Sequence, residues 1–558
     1  MSERKSRPSV PSLIAALLAV LTASVAISSC GGDDGNAAVS EFASWMPPDS
    51  SVYIEGTIRP EGEMADNVDQ ISTKLTGRSL DESIDKLIRE SNESGIDFKT
   101  DVEPWLGDSA GLAVAADLAG YTGPDAFAQV PGTSSLTATG DGLKSDSSEV
   151  SLVVPTSDQQ ATLDFISKVA NRNDKAEEGE YQGTAYTVSG DREAVYGVRE
   201  ELLLVAGSVA GFEDMIDAHD GESLAQVEAF SDLADRAADG SLANLFVNGS
   251  SIADSASGGQ GDTDSNDDSG SDGGSGADPV YSALGIDPDN AGALISLVPK
   301  ENEISLVGAS NATEEYANGD PGPLLETFPA NTVFTTGSAG VGDNLTRLVE
   351  TVNEQGIEGT LEPGELQKAI DDLSSSGVDL SALIGSLDTA GLFVSGNSVD
   401  TLGGALVVTS SDLKPLEDSL ALISSLIGQS RDATVRPLTG GVTGFRVKTP
   451  ELPGRPVYLA VKDDRLVIAI GDAAARQALG EGGPTLADSK AYQAAVDSLS
   501  GGEIDLYADP PAIGKLIRGA ADDPDAKKAA DAMDKFEYIA GGGGDGEGSF
   551  EFNLGLGE

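Results

Sequence analysis

Two short stretches decide the fold: "SLVVPTSD" (Ser151–Asp158) and "ALVVTSSD" (Ala405–Asp412). Each is a β-branched apolar run stopped by a Ser/Thr/Asp cluster, which reads as a strand running into a helix start. Around them the chain repeats itself in order. "FASWMPPDSSVYIEG" (Phe42–Gly56) resembles "FPANTVFTTGS" (Phe328–Ser338), and "SGIDFKTDVEPWLGDSAGLAV" (Ser94–Val114) resembles "SGVDLSALIGSLDTAGLFV" (Ser376–Val394). Downstream, "AVYGVREELLLVAGS" (Ala194–Ser208) resembles "PVYLAVKDDRLVIAIGD" (Pro456–Asp472), and "LANLFVNGSSI" (Leu242–Ile252) resembles "EIDLYADPPAI" (Glu503–Ile513). Five matches in one order predict an internal duplication. Copy one covers 41–312, a polar Gly/Pro-containing linker 313–324, and copy two 325–558.

Each copy reads as α+β. "VYGVREELLLVAG" and "VYLAVKDDRLVIAIG" are hairpins turning on their charged residues. "QATLDFISKVANR" carries Leu163, Ile166 and Val169 at helical spacing, and "LEDSLALISSLI" stands in its place in copy two. Stripes at Ile84, Leu87, Ile88 and at Leu366, Ile370, Leu373 predict helices ending at Gly95 and Gly377. "NEISLVGAS" and "SFEFNLGLG" alternate as closing strands. Hairpins with local helices predict antiparallel sheets with helices packed on one face, not a doubly wound parallel sheet. Copy one alone carries 118–148 and the low-complexity acidic segment 253–278, expected to be disordered. Copy two alone carries "PAIGKLIRGAADDPDAKKAADAMDKFEYI" (Pro511–Ile539), which reads as largely helical, and "GGGGDGEG" (Gly541–Gly548) reads as a strand connection.

The 558 residues carry a net charge of −59 and one cysteine. Such acidity repels phosphate backbones and disfavours a nucleic-acid role. One Cys and one His exclude an internal disulfide and Cys/His zinc sites. That cysteine follows a basic start (Arg4, Lys5, Arg7) and the apolar run "LIAALLAVLTASVAI" (Leu13–Ile27), too short for a spanning helix and right for an export signal over 1–29. Ile27-Ser28-Ser29-Cys30 resembles the lipobox of bacterial lipoproteins. The resemblance implies a diacylglyceryl thioether on Cys30, cleavage before it, and a membrane anchor on the extracytoplasmic side. Residues 30–40 would be its flexible tether.

The remaining candidates are weak. An EF-hand reading from Asp262 finds Asp264 and Asn266 in place. It fails at the sixth position (Asp267 for Gly) and the twelfth (Gly273 for Glu). A Ser-His-Asp triad would need His219 with Asp217 or Asp220, which are sequence neighbours, and no nucleophile elbow occurs. Trp45 and Trp105 read as core anchors rather than ligand platforms. No P-loop or dinucleotide fingerprint is present. The expectation is therefore no catalytic, metal or cofactor-binding residues.

"MPPDSSVYIEG" (Met46–Gly56), soon after a lipobox, resembles a bacterial family catalogued as domain of unknown function 3352, across most of 41–558. The resemblance implies an exported or membrane-attached protein and supplies no catalytic residues. The leading expectation is a lipid-anchored, non-enzymatic binding or envelope-support protein. Its alternatives are a carrier of a lipid or other apolar ligand and a carboxylate-based hydrolase.

Overall fold

A computed structural model describes residues 42–79, 82, 98–115, 149–171, 175–190, 192, 194–249, 291–311, 319–355, 363–375, 380–429, 433–450, 452, 454–521, 523–544 and 548–557. They mix helix with extensive antiparallel sheet and form two compact units, 42–311 and 319–557. The helix ending at Gly95, the segments 118–148 and 253–278, the loop from Asp262 and Gly377 lie outside the described residues.

The first unit holds β1 (Val52–Thr57), β2 (Ser109–Ala115), β3 (Glu149–Pro155), β4 (Glu177–Tyr181), β5 (Thr184–Val188), β6 (Val195–Arg199), β7 (Leu202–Ala206), β8 (Ala243–Asn248), β9 (Gly292–Lys300) and β10 (Glu303–Ser310). They pair antiparallel in the order β4-β5-β6-β7-β3-β2-β1-β8-β9-β10. Its helices include α1 (Gly62–Thr76), α2 (Gln159–Ala170), α3 (Val209–Asp220) and α4 (Glu228–Ala234).

The second unit holds β11 (Thr332–Ala339), β12 (Leu387–Ser395), β13 (Gly403–Ser410), β14 (Thr434–Pro437), β15 (Thr443–Lys448), β16 (Val457–Lys462), β17 (Arg465–Ile470), β18 (Leu506–Ala508), β19 (Phe536–Gly543) and β20 (Ser549–Leu556). Their order is β14-β15-β16-β17-β13-β12-β11-β18-β19-β20. Strand for strand, this is the first unit's order. Its helices include α5 (Val341–Gln355), α6 (Glu365–Ser375), α7 (Leu380–Gly385), α8 (Lys414–Ile427), α9 (Asp472–Ala478), α10 (Lys490–Ser498), α11 (Pro510–Ala520) and α12 (Pro524–Met533).

Both quoted stretches are strands that run into an aspartate at a helix start. Asp158 Oδ1 accepts from the Ala161 N–H at the start of α2, and Asp412 Oδ1 accepts from the Lys414 N–H at the start of α8. Two residues before each aspartate a hydroxyl oxygen accepts from the aspartate's own N–H. The Asp158 N–H donates to Thr156 Oγ1 at 3.3 Å, and the Asp412 N–H to Ser410 Oγ at 3.2 Å. The charged hairpin turns form as read: Glu200 and Glu201 take φ 54° and 63°, and Asp463 takes φ 56°.

Four details differ from the sequence reading. Helices and loops cover both faces of the first sheet, not one. Alternate residues of β2, β3 and β7 enter two cores: Ala113, Val153 and Leu204 on one side, Leu112, Leu152 and Val205 on the other. Continuous apolar strands allow this, since each face then carries an apolar row. Leu163 is 44% exposed, whereas Thr162, Phe165, Ile166, Val169 and Ala170 form the buried face of α2. Gly541–Gly543 belong to β19 rather than to a connection. A Cβ on Gly541 would come within 2.6 Å of the Phe552 ring, so the glycine makes room for the aromatic opposite it. Finally, Tyr196 and Tyr458 face opposite ways: Tyr196 pairs with Val205 but Tyr458 with Ala469, a one-residue offset that reverses the face.

Candidate functional site

Cys30, Ile27, Ser28 and Ser29 lie outside the described residues. The other residues singled out by sequence fall in the first unit. His219, one residue before the end of α3, stacks flat on Trp45 with ring centroids 3.6 Å apart and planes 5° apart. Its Nε2 lies 3.5 Å from Glu200 Oε2, and its buried Nδ1 has no hydrogen-bond partner. Arg199 places its guanidinium carbon 5.7 Å from the Trp45 ring centroid and pairs with Asp220 at 2.9 Å. Asp217 accepts from Tyr181 Oη at 3.0 Å and from Gln182 Nε2. Both acids a triad would need are thus committed to other partners. The structure assembles a stacked packing cluster around Trp45 instead.

Trp45 and Trp105 are 3% and 1% exposed, which makes both of them core anchors. Trp105 Nε1 donates to the Asp101 carbonyl at 2.7 Å. Beside it is a cleft of about 270 Å³ crossed by the Lys168–Asp101 ion pair. Among the described residues, no group of three or more His, Cys, Asp or Glu side chains is placed to hold a metal, and no helix is long and apolar enough to cross a membrane.

Burial, reinforced by Glu503 and Asp320, raises the Asp505 carboxyl above its ordinary value. Burial also raises Asp509, against the lowering effect of the Ala512 N–H it caps. These two acids bracket β18. Tyr458 is raised by burial and by its hydrogen bond to Asp472.

Sequence reasoning missed the second unit's most exposed apolar surface. Residues in register across β16, β17, β13 and β12 share a face of the sheet. One row runs Leu459–Ile468–Leu406–Leu392, and the next Val457–Ile470–Gly404–Val394. A third, Val461–Leu466–Val408–Ala390, is closed by Leu416 and Leu420 of α8, whose core includes Val461 and Leu466. The β16 end of the first two rows is covered too, since Leu459 packs against the same core and Val457 is in register with its Val447; from β17 to β12 the rows stay open, with Ile468 and Ile470 41% exposed and Leu392 39% exposed. None of the twelve positions carries a polar side chain. The signal available in sequence was the apolar run itself, but that run gives no hint of what covers it.

Two solved structures of TP0453 are similar. Crystal form I has 12% identity, covers 50% of this chain and 81% of that one, and has a TM-score of 0.25. Crystal form III has 10% identity, the same coverage and a TM-score of 0.22. No curated protein matches the chain. The profile of one family, described as "Protein of unknown function (DUF3352)", matches residues 12–515, and the chain belongs to that family.

Proposed function

We propose that the protein is an extracytoplasmic lipoprotein, held at the cell membrane by a diacylglyceryl group on Cys30, whose body binds or supports envelope components without catalysis. The observation that carries this reading is the placement of the chain's sole cysteine directly after Ile27-Ser28-Ser29, behind a basic start and a short apolar run. Two acyl chains give stable anchoring at about 0.8 kcal/mol per buried methylene. Residues 30–40 then act as the tether.

The body is two copies of one unit, 41–312 and 325–558, joined by 313–324. The shared strand order supports this, as do matched local devices. A Cβ on Gly111 would meet Phe42 Cβ at 2.5 Å, and a Cβ on Gly391 would meet the Phe328 ring at 2.7 Å. In each unit a phenylalanine ahead of the first strand therefore seats on a glycine of the second. The Thr156/Asp158 and Ser410/Asp412 turns match in the same way.

Metabolic labelling with an alkynyl fatty acid tests the anchor. The wild type takes up label and sediments with membranes; Cys30→Ala does neither. An unlabelled wild type, or a Cys30→Ala variant that sediments as fully, overturns the proposal.

A further inference from the structure

We infer that the two open rows on the second unit's sheet form a seat for the acyl chain of a membrane phospholipid. The inference rests on the reading of the body as a binding module held at a membrane, and names the ligand class. The floor is wholly apolar: Ile468, Ile470 and Leu392 are about two-fifths exposed, with Leu406 beside them. No hydrogen-bonding side chain stands in these rows to orient a polar ligand. Gly404 lies between Ile470 and Val394 in its row, so the floor has a notch with no side chain. Three strands, β17, β13 and β12, spaced about 4.8 Å apart give the open strip a width of roughly 10 Å.

Size and charge select this occupant over a second copy of the chain. A strip of three half-open aliphatic side chains falls far short of the roughly 800 Å² per partner that a stable protein interface buries. Two copies would also bring −59 against −59. The same charge favours a zwitterionic headgroup over an anionic one. In the first unit the equivalent row Tyr196–Val205–Leu152–Leu112 is 1–3% exposed and packs in one core with Trp105 and Phe165. Among that unit's described residues this row is therefore sealed.

The test uses the mature chain with Cys30→Ser, which carries no covalent acyl group, and lysophosphatidylcholine with a nitroxide-labelled palmitoyl chain. Electron paramagnetic resonance is expected to show an immobilised chain that glycerophosphocholine, which has no chain, does not displace. Ile468→Asp and the milder Leu392→Ser are each expected to weaken binding by about tenfold, the effect of losing one aliphatic contact surface. Leu163→Asp, at an equally exposed leucine of α2, is expected to bind as wild type does. No immobilised component, unchanged binding in both second-unit variants, or equal loss in Leu163→Asp overturns the inference. Any of these leaves the Cys30 labelling result standing, so failure of the seat and failure of the anchor are told apart.

Discussion

The two units lay down ten strands in the same order, yet finish one sheet face differently. Leu112, Leu152 and Val205 of the first unit are 2–3% exposed. Their register equivalents in the second, Leu392, Leu406 and Ile468, are open or half-buried. The strand residues are nearly interchangeable, so the difference lies in what arrives from elsewhere. Trp105 and Phe165 pack 5.0 Å apart in the first unit's core. In the second, the α8 core covers the far row and Leu459 at the β16 end of the next one, and leaves Ile468, Ile470 and Leu392 open. A shared topology thus fixes where apolar rows stand but not whether they are sealed.

The largest break in this comparison should come from truncating equivalent leucines. Leu112→Ala is expected to cost ~2–5 kcal/mol, as for a fully buried leucine. Leu392→Ala should cost less than ~1 kcal/mol, because nothing encloses the space it leaves. Urea unfolding followed by circular dichroism checks both; equal losses would mean that the second face is sealed in solution.

Next come the paired glycines. Gly111→Ala and Gly391→Ala should each destabilise by ~1–3 kcal/mol through overpacking. Gly111 should suffer more, because the obstructing atom is Phe42 Cβ, fixed to the backbone, whereas Gly391 meets the far end of the Phe328 ring. The reverse ranking in unfolding midpoints would break the equivalence of the two seats.

A smaller effect is expected at the hairpins. Glu201→Gly should stabilise the first unit by about 1 kcal/mol, by relieving a left-handed conformation at φ 63°. Asp463→Gly should gain less, since aspartate tolerates that conformation better. Thermal melts of the two variants rank them.

The smallest difference is electrostatic and confined to the second unit. A carboxyl raised in the folded state holds its proton more tightly there than in the unfolded chain. The resulting destabilisation is full above the raised Asp505 value and vanishes as pH falls through that value to the ordinary 3.8. The second unit should therefore melt higher as pH drops from neutral into the carboxylate range, with a flatter slope in Asp505→Asn. An unchanged slope would show that Asp505 does not carry the effect.

Much of the fold was legible because it is local. β-branched runs gave β3 and β13, and the paired acids marked the hairpin turns. The aspartates closing the two quoted stretches placed the starts of α2 and α8. What escaped depends on partners distant in sequence. Leu163 has helical spacing, but the buried stripe of α2 is set by Trp105 and the sheet, which take Phe165 in its place beside Ile166 and Val169. The "VY" shared by both hairpins suggested equivalent tyrosines. One extra residue along the second hairpin's strands turned Tyr458 to the opposite face. The stack of Trp45 on His219 joins residues 174 positions apart, and no local pattern encodes it. The open rows were invisible for the opposite reason: in sequence they look like core.

Trp45 and Trp105 are the chain's two tryptophans, and both sit in the first unit. Indole emission is therefore a unit-specific reporter. It follows melting of the first unit alone, while tyrosine emission and circular dichroism also register the second. With the His219 imidazole stacked against one of the two indoles, loss of that stacking alone changes the same signal.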